Sequence, residues 1–239
     1  MSTLVSWMDR KLYPTFERNW DDELFRRRVL SVIRPDSVCL DYGAGRGRLV
    51  QMNFRGIAQR VAGVDPDPLV LQNPHLDDAR VLDLSSGLIP YPDGSFDLVF
   101  ADNVMEHVAD PMQALSEIAR VLKPGGLFLA KTPNKWHYIA TIARFTPTWF
   151  HRTYNSLRGR EGADTFPTLY RCNSEAAVQR LAGVTGFAVR RLDLVEGRPK
   201  YLRILSATYL VGWAWERTVN AFDSLRGFRC VLIFELERQ

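Results

Sequence analysis

The 239 residues are enough for one α/β domain with a sizeable core, and 46% hydrophobic against 24% charged residues excludes a disordered or fibrous chain. A net charge of +4 is too small to dictate nucleic-acid binding by itself. The longest apolar stretch, Ile204 to Trp215, is shorter than the ~18–20 residues of a membrane-spanning helix.

Base is nevertheless concentrated locally. No Asp or Glu occurs from Ile118 to Arg160, a stretch that holds Arg120, Lys123, Lys131, Lys135, Arg144, Arg152, Arg158 and Arg160. Cys39, Cys172 and Cys230 are odd in number and lack metal-ligand spacing, so buried reduced thiols are expected and no metal site. The opening MSTLVSWMDRKLYP has no apolar signal core, which predicts a reducing, cytoplasmic setting.

In chain order, Phe16, Trp20, Leu24, Phe25, Val29 and Ile33 recur at helical spacing and predict an amphipathic helix stopped by Pro35 and Asp36. Ser37–Asp41 reads as a short buried strand leading into a glycine-rich turn and a second helix over Arg48–Gln59. Strands follow at Arg60–Val64, Ala79–Leu82 and Phe96–Ala101, with a short helix starting at Pro68–Leu71. Met112, Leu115, Ile118 and Leu122 mark the inner face of another helix, Pro124-Gly125-Gly126 makes a tight turn, and Leu127–Lys131 is a fifth strand. Asn173 or Ser174 caps a helix through Leu181 that ends at Gly183 or Gly186, and strands at Phe187–Leu194 and Cys230–Leu236 complete the series. This alternation means a parallel sheet covered on both faces. Two insertions interrupt the single domain over 1–239: an aromatic, basic one at about 135–171 and a helical one at about 199–225, broken at Gly212.

Asp41-Tyr42-Gly43-Ala44-Gly45-Arg46-Gly47 follows a strand and opens a predicted helix. Glycines there let the backbone turn sharply and come close to a ligand, and a helix N-terminus behind them would offer N–H groups to an anion. A dinucleotide fingerprint needs Gly or Ala at position 48, where Arg48 stands. Asp65 ends the second strand about 20 residues on, as expected of a carboxylate that takes two vicinal ribose hydroxyls.

The run Asp41–Gly47, then Gly63-Val64-Asp65, Pro90-Tyr91-Pro92-Asp93-Gly94-Ser95-Phe96-Asp97, Asn103-Val104-Met105-Glu106-His107 and Glu117–Gly126 resembles the successive motifs of class I S-adenosylmethionine (SAM)-dependent methyltransferases, specifically the bacterial type 11 group. The resemblance spans about residues 36–134 and, more weakly, 168–195. It implies a Rossmann-like, seven-stranded, mostly parallel sheet with the last strand antiparallel, and SAM as cofactor. It further implies that Asp41, Gly43, Ala44, Gly45 and Gly47 hold the methionyl part and that Asp65, with Pro66, holds the ribose. Asp83 and Leu84 would lie near the adenine amino group, and Asp102 and Asn103 near the sulfonium. Extra residues between Asp83 and Pro90 depart from the common pattern.

SAM brings its own leaving group, so alignment supplies much of the rate, and a general base is needed only for a weakly acidic hydroxyl. Just past the fourth strand, His107 is the leading candidate, histidine being the residue type that exchanges protons near neutral pH. Glu106-His107 as a mere loop-ordering pair is the alternative, and His137 and Tyr138 are weaker candidates.

Acceptor choice falls to the insertions. Trp136, Tyr138, Phe145, Trp149, Phe150 and Tyr154, set among basic residues, suit a lid over an anionic, glycan or lipid-linked acceptor, an anionic membrane surface, or nucleic acid. The lid is favoured. Nucleic acid is disfavoured, because Asp102-Asn103-Val104-Met105 stands where amino-methylating enzymes carry Asn/Asp-Pro-Pro-aromatic. The apolar Tyr201–Phe222 segment reads as packing, dimerisation or peripheral membrane contact. The expected reaction is methylation, mainly on oxygen, of a small-molecule, glycan or lipid-linked acceptor; a quinone-type acceptor and a non-catalytic SAM-binding regulator are the alternatives.

Overall fold

Apolar strands of five to seven residues, buried along almost their whole length, build the sheet in the computed structural model: β1 (Val38–Tyr42), β2 (Arg60–Asp65) and β4 (Phe96–Asp102). The described residues are 3–14, 20–145, 167–199, 202–203 and 205–239. With β3 (Asp78–Val81), β5 (Leu122–Pro133), β6 (Phe187–Val195) and β7 (Val231–Arg238), they form one seven-stranded sheet of order β3-β2-β1-β4-β5-β7-β6. It is Rossmann-like, mostly parallel with one antiparallel strand, as the sequence pattern and the resemblance predict. The order reverses between β1 and β4, and such a switch point opens a crevice at the carboxyl ends of the strands.

The helices are α1 (Thr3–Leu12), α2 (Trp20–Leu30), α3 (Pro111–Val121), α4 (Tyr138–Phe145), α5 (Glu175–Val184) and α6 (Ser206–Ala221). Asp110 caps α3 by accepting from Met112 N and Gln113 N at 3.0 Å, with Pro111 in the first turn, and Ala114, Leu115, Ile118 and Val121 are buried beneath it. Ser174 caps α5 the same way through Ala177 N.

Three expectations fail; the first is Pro124-Gly125-Gly126, which is not a separate tight turn but lies inside the continuous strand β5, Leu122–Pro133. The helix over Arg48–Gln59 is only a single 3-10 turn, Val50–Met52. Gly56 stands at φ +78°, and Leu49, Val50 and Ile57 are exposed, so the segment lacks an apolar stripe to bury. Gly212 does not interrupt α6; a Cβ there would fall 2.8 Å from Pro199 Cβ, so the glycine admits close packing inside an unbroken helix. Phe16, the aromatic and basic residues from 146 to 166, and Tyr201 and Ile204 lie outside the described residues, as do the side chains of Arg144 and Phe145.

The chain divides into two compact units: residues 22–132, 169–193 and 232–239, and residues 1–21, 133–168 and 194–231. In the first, Phe54 and Phe100 meet edge-on at 5.0 Å and Phe128 and Phe234 at 5.7 Å. In the second, Val5, Met8, Tyr13 and Tyr209 form a buried cluster joining α1 to α6. All three cysteines are buried and unbridged. Among the described residues no helix is long and apolar enough to cross a membrane.

Candidate functional site

Asp41 lies near the end of β1, and the loop after it folds back onto β2, Gly43 N and Ala44 N donating to Val64 O at 2.8 and 3.1 Å. Gly43, Gly45 and Gly47 have φ of +81°, +52° and +70°, a conformation that side chains resist. A Cβ on Gly43 would fall 2.3 Å from Val104 Cγ2, so the loop sits hard against the exit of β4. Over Gly45 the space is open: a Cβ would meet only Asp65 Oδ2, at 4.0 Å. Asn73 clamps the loop from outside, its Nδ2 donating to Ala44 O at 3.0 Å and to Gly45 O at 3.3 Å. Only the turn-forming Asn73-Pro74 pair in the sequence could have pointed to it.

Asp65 closes β2. Its Oδ2 accepts from Gly45 N at 2.9 Å and its Oδ1 from Asp67 N at 2.8 Å, across Pro66, which leaves each oxygen a further acceptor site. Arg46 donates to Asp67 Oδ2 at 2.9 Å and braces the same corner. Asp102 and Asn103 end β4. Asp102 is buried and pairs with Lys131 Nζ at 2.9 Å, while Asn103, at φ +55°, donates its N–H to Lys131 O at 2.8 Å. Lys131 is fully buried and also binds Asp22 on α2. Spacing gave no hint of that pair.

Burial pushes the Asp41 carboxyl well above the usual carboxylate range, and Asp102 and Asp65 push it the same way. Asp65 is also raised by burial, partly offset by its two backbone N–H bonds. A carboxyl raised on folding favours the fold below its ordinary pKa, and that contribution is lost as pH rises through the folded value. Asp41→Asn is therefore expected to raise the melting temperature at pH 8 by at least ~2 °C. The gain should shrink as the pH is lowered toward 4; a lower melting temperature for the variant at pH 8 would refute the assignment.

Asp83 and Leu84 stand apart from this group. Both are exposed, and Asp83 Oδ1 accepts from Ser85 N at 2.9 Å and Ser85 Oγ at 2.7 Å, which holds its carboxyl below the usual range. The anion site at a helix N-terminus is also missing, since a single 3-10 turn follows the loop.

Past β4, His107 N donates to Val104 O at 2.9 Å, and its imidazole is about 30% exposed, Nε2 lying 3.9 Å from Glu106 Oε1. Glu106 is buried and accepts from Thr132 Oγ1 at 2.8 Å, and Asn173 Nδ2 donates to that hydroxyl at 2.6 Å. Burial raises the Glu106 carboxyl, while His107 and Thr132 pull it down. Leu169 N donates to Glu106 O at 2.7 Å, so the segment before α5 closes over this corner. His137, by contrast, is buried and faces Glu196 at 3.3 Å. The strand ends thus combine open glycine backbone, three clustered carboxylates and a half-exposed imidazole, an arrangement suited to a cationic ligand that carries vicinal hydroxyls.

A family model described as a methyltransferase domain matches residues 40–130. A protein named probable S-adenosylmethionine-dependent methyltransferase, of Mycolicibacterium smegmatis, is 38% identical over 99 residues, which cover 40% of this chain and 38% of that protein. An uncharacterized methyltransferase of Mycobacterium sp. (strain JLS) is 37% identical over 193 residues, covering 79% of this chain and 71% of that one. The chain thus spans less than half the length of several curated relatives that it matches. The crystal structure of the [4+2]-cyclase SpnF superposes with a TM-score of 0.57 at 20% identity, over 91% of this chain and 80% of the other, which is a likeness of fold.

Proposed function

The chain belongs to the class I SAM-dependent methyltransferases, and from that premise we propose that it transfers the methyl group of SAM to an oxygen of a small-molecule, glycan or lipid-linked acceptor. The residues present fit the cofactor. Open backbone over Gly45 admits a close-lying methionyl chain, and the carboxyl groups of Asp41 and Asp65 lie beside it, where they can accept from the ammonium and hydroxyl groups of a ligand carrying net positive charge. Asp65 retains acceptor sites for two ribose hydroxyls. SAM, when bound, supplies a methyl group already activated on a positively charged sulfur.

The protein's own work is to orient and to move one proton. The observation that carries the oxygen reading is His107, half-exposed with buried Glu106 behind it. With the methyl–sulfur bond of bound SAM exchanged for a methyl–oxygen bond and the thioether leaving as S-adenosylhomocysteine, His107 would take the acceptor hydroxyl's proton, and the Glu106 carboxylate would stabilise the resulting imidazolium. The acceptor class rests on the aromatic, basic insertion. There Lys135 Nζ lies 5.1 Å from the exposed Trp136 ring, a surface pair suited to an anionic sugar or lipid headgroup.

Two measurements test this. Titration calorimetry should show SAM binding weakened at least tenfold by Asp65→Ala, about 1.4 kcal/mol; undiminished binding would remove Asp65 from the ribose role. Transfer of label from methyl-tritiated SAM, followed into lipid, glycan, small-molecule, quinone and RNA fractions of a cell extract, should place counts in one of the first three. Counts confined to quinones or RNA would overturn the acceptor class, and SAM binding without label in any fraction would favour a regulatory protein.

A further inference from the structure

His137, Glu196 and Cys230 are 59 and 34 positions apart in sequence, yet one donor atom from each lies within 4.8 Å of the others. We propose that these three side chains form a binding site for a divalent zinc-type ion, held by one nitrogen, one oxygen and one sulfur. All three belong to the same compact unit.

The site is built in advance. Asn134 N donates to Cys230 O at 2.8 Å, and Asn134 Nδ2 donates to Gly227 O and Arg229 O at 2.7 and 2.8 Å. The same residue accepts from His137 N at 3.2 Å, so the turn carrying the imidazole is tied to the segment carrying the thiol. Arg229 reaches back to Leu194 O at 3.3 Å, and Asn220 Nδ2 to Glu196 O at 3.3 Å, which fixes the carboxylate's backbone. Tyr138 lies against the imidazole at 4.1 Å between ring centres, and Trp215 meets it edge-on at 6.4 Å. Preorganised donors behind an apolar wall are what a tightly bound ion requires.

Charge and distance agree with this reading. The Glu196 side chain is about 94% buried (6% exposed), its Oε2 lies 3.3 Å from His137 Nε2, and among the described residues no group donates a hydrogen bond to that oxygen. A buried carboxylate so placed is costly unless a cation meets it. On coordination Cys230 would lose its thiol proton to solvent; thiolate, carboxylate and a dipositive ion then sum to zero, with the imidazole neutral. Tetrahedral zinc with bonds of about 2.0–2.3 Å sets its ligand atoms roughly 3.3–3.7 Å apart, so a contraction of about 1 Å closes the set. Mixed nitrogen, oxygen and sulfur donors favour zinc over calcium or magnesium. Three protein ligands leave the fourth position for water or an oxygen donor.

The test uses the full chain, stripped of metal with a chelator and then titrated with Zn2+ or Co2+. Expected are about one Zn2+ per chain at micromolar or tighter Kd and, with Co2+, a thiolate-to-cobalt charge-transfer band. Cys230→Ser should abolish the band, and Glu196→Gln and His137→Asn should each weaken Zn2+ at least tenfold while SAM binding and the far-ultraviolet dichroism stay unchanged. A folded wild-type chain that takes up no zinc, shows no cobalt–thiolate band, or binds equally well after all three substitutions overturns the site. The wild-type cobalt spectrum decides the matter even if a variant fails to fold. The methyltransferase reading stands or falls separately, on SAM titration.

Discussion

Replacing Lys131 with methionine is expected to cost about 3–5 kcal/mol of unfolding free energy, enough to abolish most of the stability of a typical domain. Lys131 is fully buried, and its ammonium binds Asp22 on α2 and, at 2.9 Å, Asp102 on the neighbouring strand. The register that pairs Asp102 with Lys131 puts the two charges side by side at the carboxyl edge of the sheet. Methionine fills the same volume without the charge, leaving two carboxylates with 9% and 4% of their side chains exposed and no cation between them. Breaking one partner of such a set is far costlier than never having built it, because the desolvation penalty remains after the attraction is gone. Urea melts should show a lower midpoint at unchanged slope. The double variant Lys131→Met with Asp22→Asn should recover part of the loss, since one of the two stranded charges is then removed. A loss below about 1 kcal/mol would mean that water reaches the pair and that it behaves as an exposed salt bridge.

Legibility in the sequence followed the range of the interaction. Strand positions were plain, because β1, β2 and β4 are buried on both faces and read as unbroken apolar runs such as Val61 to Val64. The glycine loop was legible for a local reason too: positive φ at Gly43, Gly45 and Gly47 demands that residue type whatever surrounds it. Where local pattern and tertiary packing disagreed, packing won. Arg48–Gln59 has helix-forming residues, but Leu49, Val50 and Ile57 face solvent, and the buried Met52, Phe54 and Ala58 are not spaced as one helix face. Gly212 looked like a breaker and is a contact surface for Pro199. Asp83 accepts from Ser85 two residues on, a short-range bond that spacing does not reveal. Contacts across 109 residues, as between Asp22 and Lys131, or across the three segments that bring His137, Glu196 and Cys230 together, leave no periodic trace. They exist only once the sheet order is known.

His107→Gln should lower kcat by about 10²–10⁴ while leaving SAM affinity unchanged, the loss expected when a positioned general base is removed. The imidazole is held by position rather than by burial: the turn bond from its N–H to Val104 O fixes the backbone, and about a third of the ring stays open to an incoming hydroxyl. Behind it, Glu106 is locked by Thr132, itself held by Asn173, so the carboxylate cannot swing away when the ring becomes charged. Glutamine keeps the size and hydrogen-bonding capacity of the ring's edge but cannot take a proton, so the variant separates base catalysis from packing. Glu106→Gln should cause a smaller loss of rate, because Thr132 still has an acceptor while the imidazolium loses its counter-charge. A His107→Gln enzyme within threefold of wild type would mean that the acceptor arrives already ionised or carries a nucleophile needing no base. In that case alignment of acceptor and methyl group accounts for the rate, and the choice of oxygen as the methylated atom loses its main support.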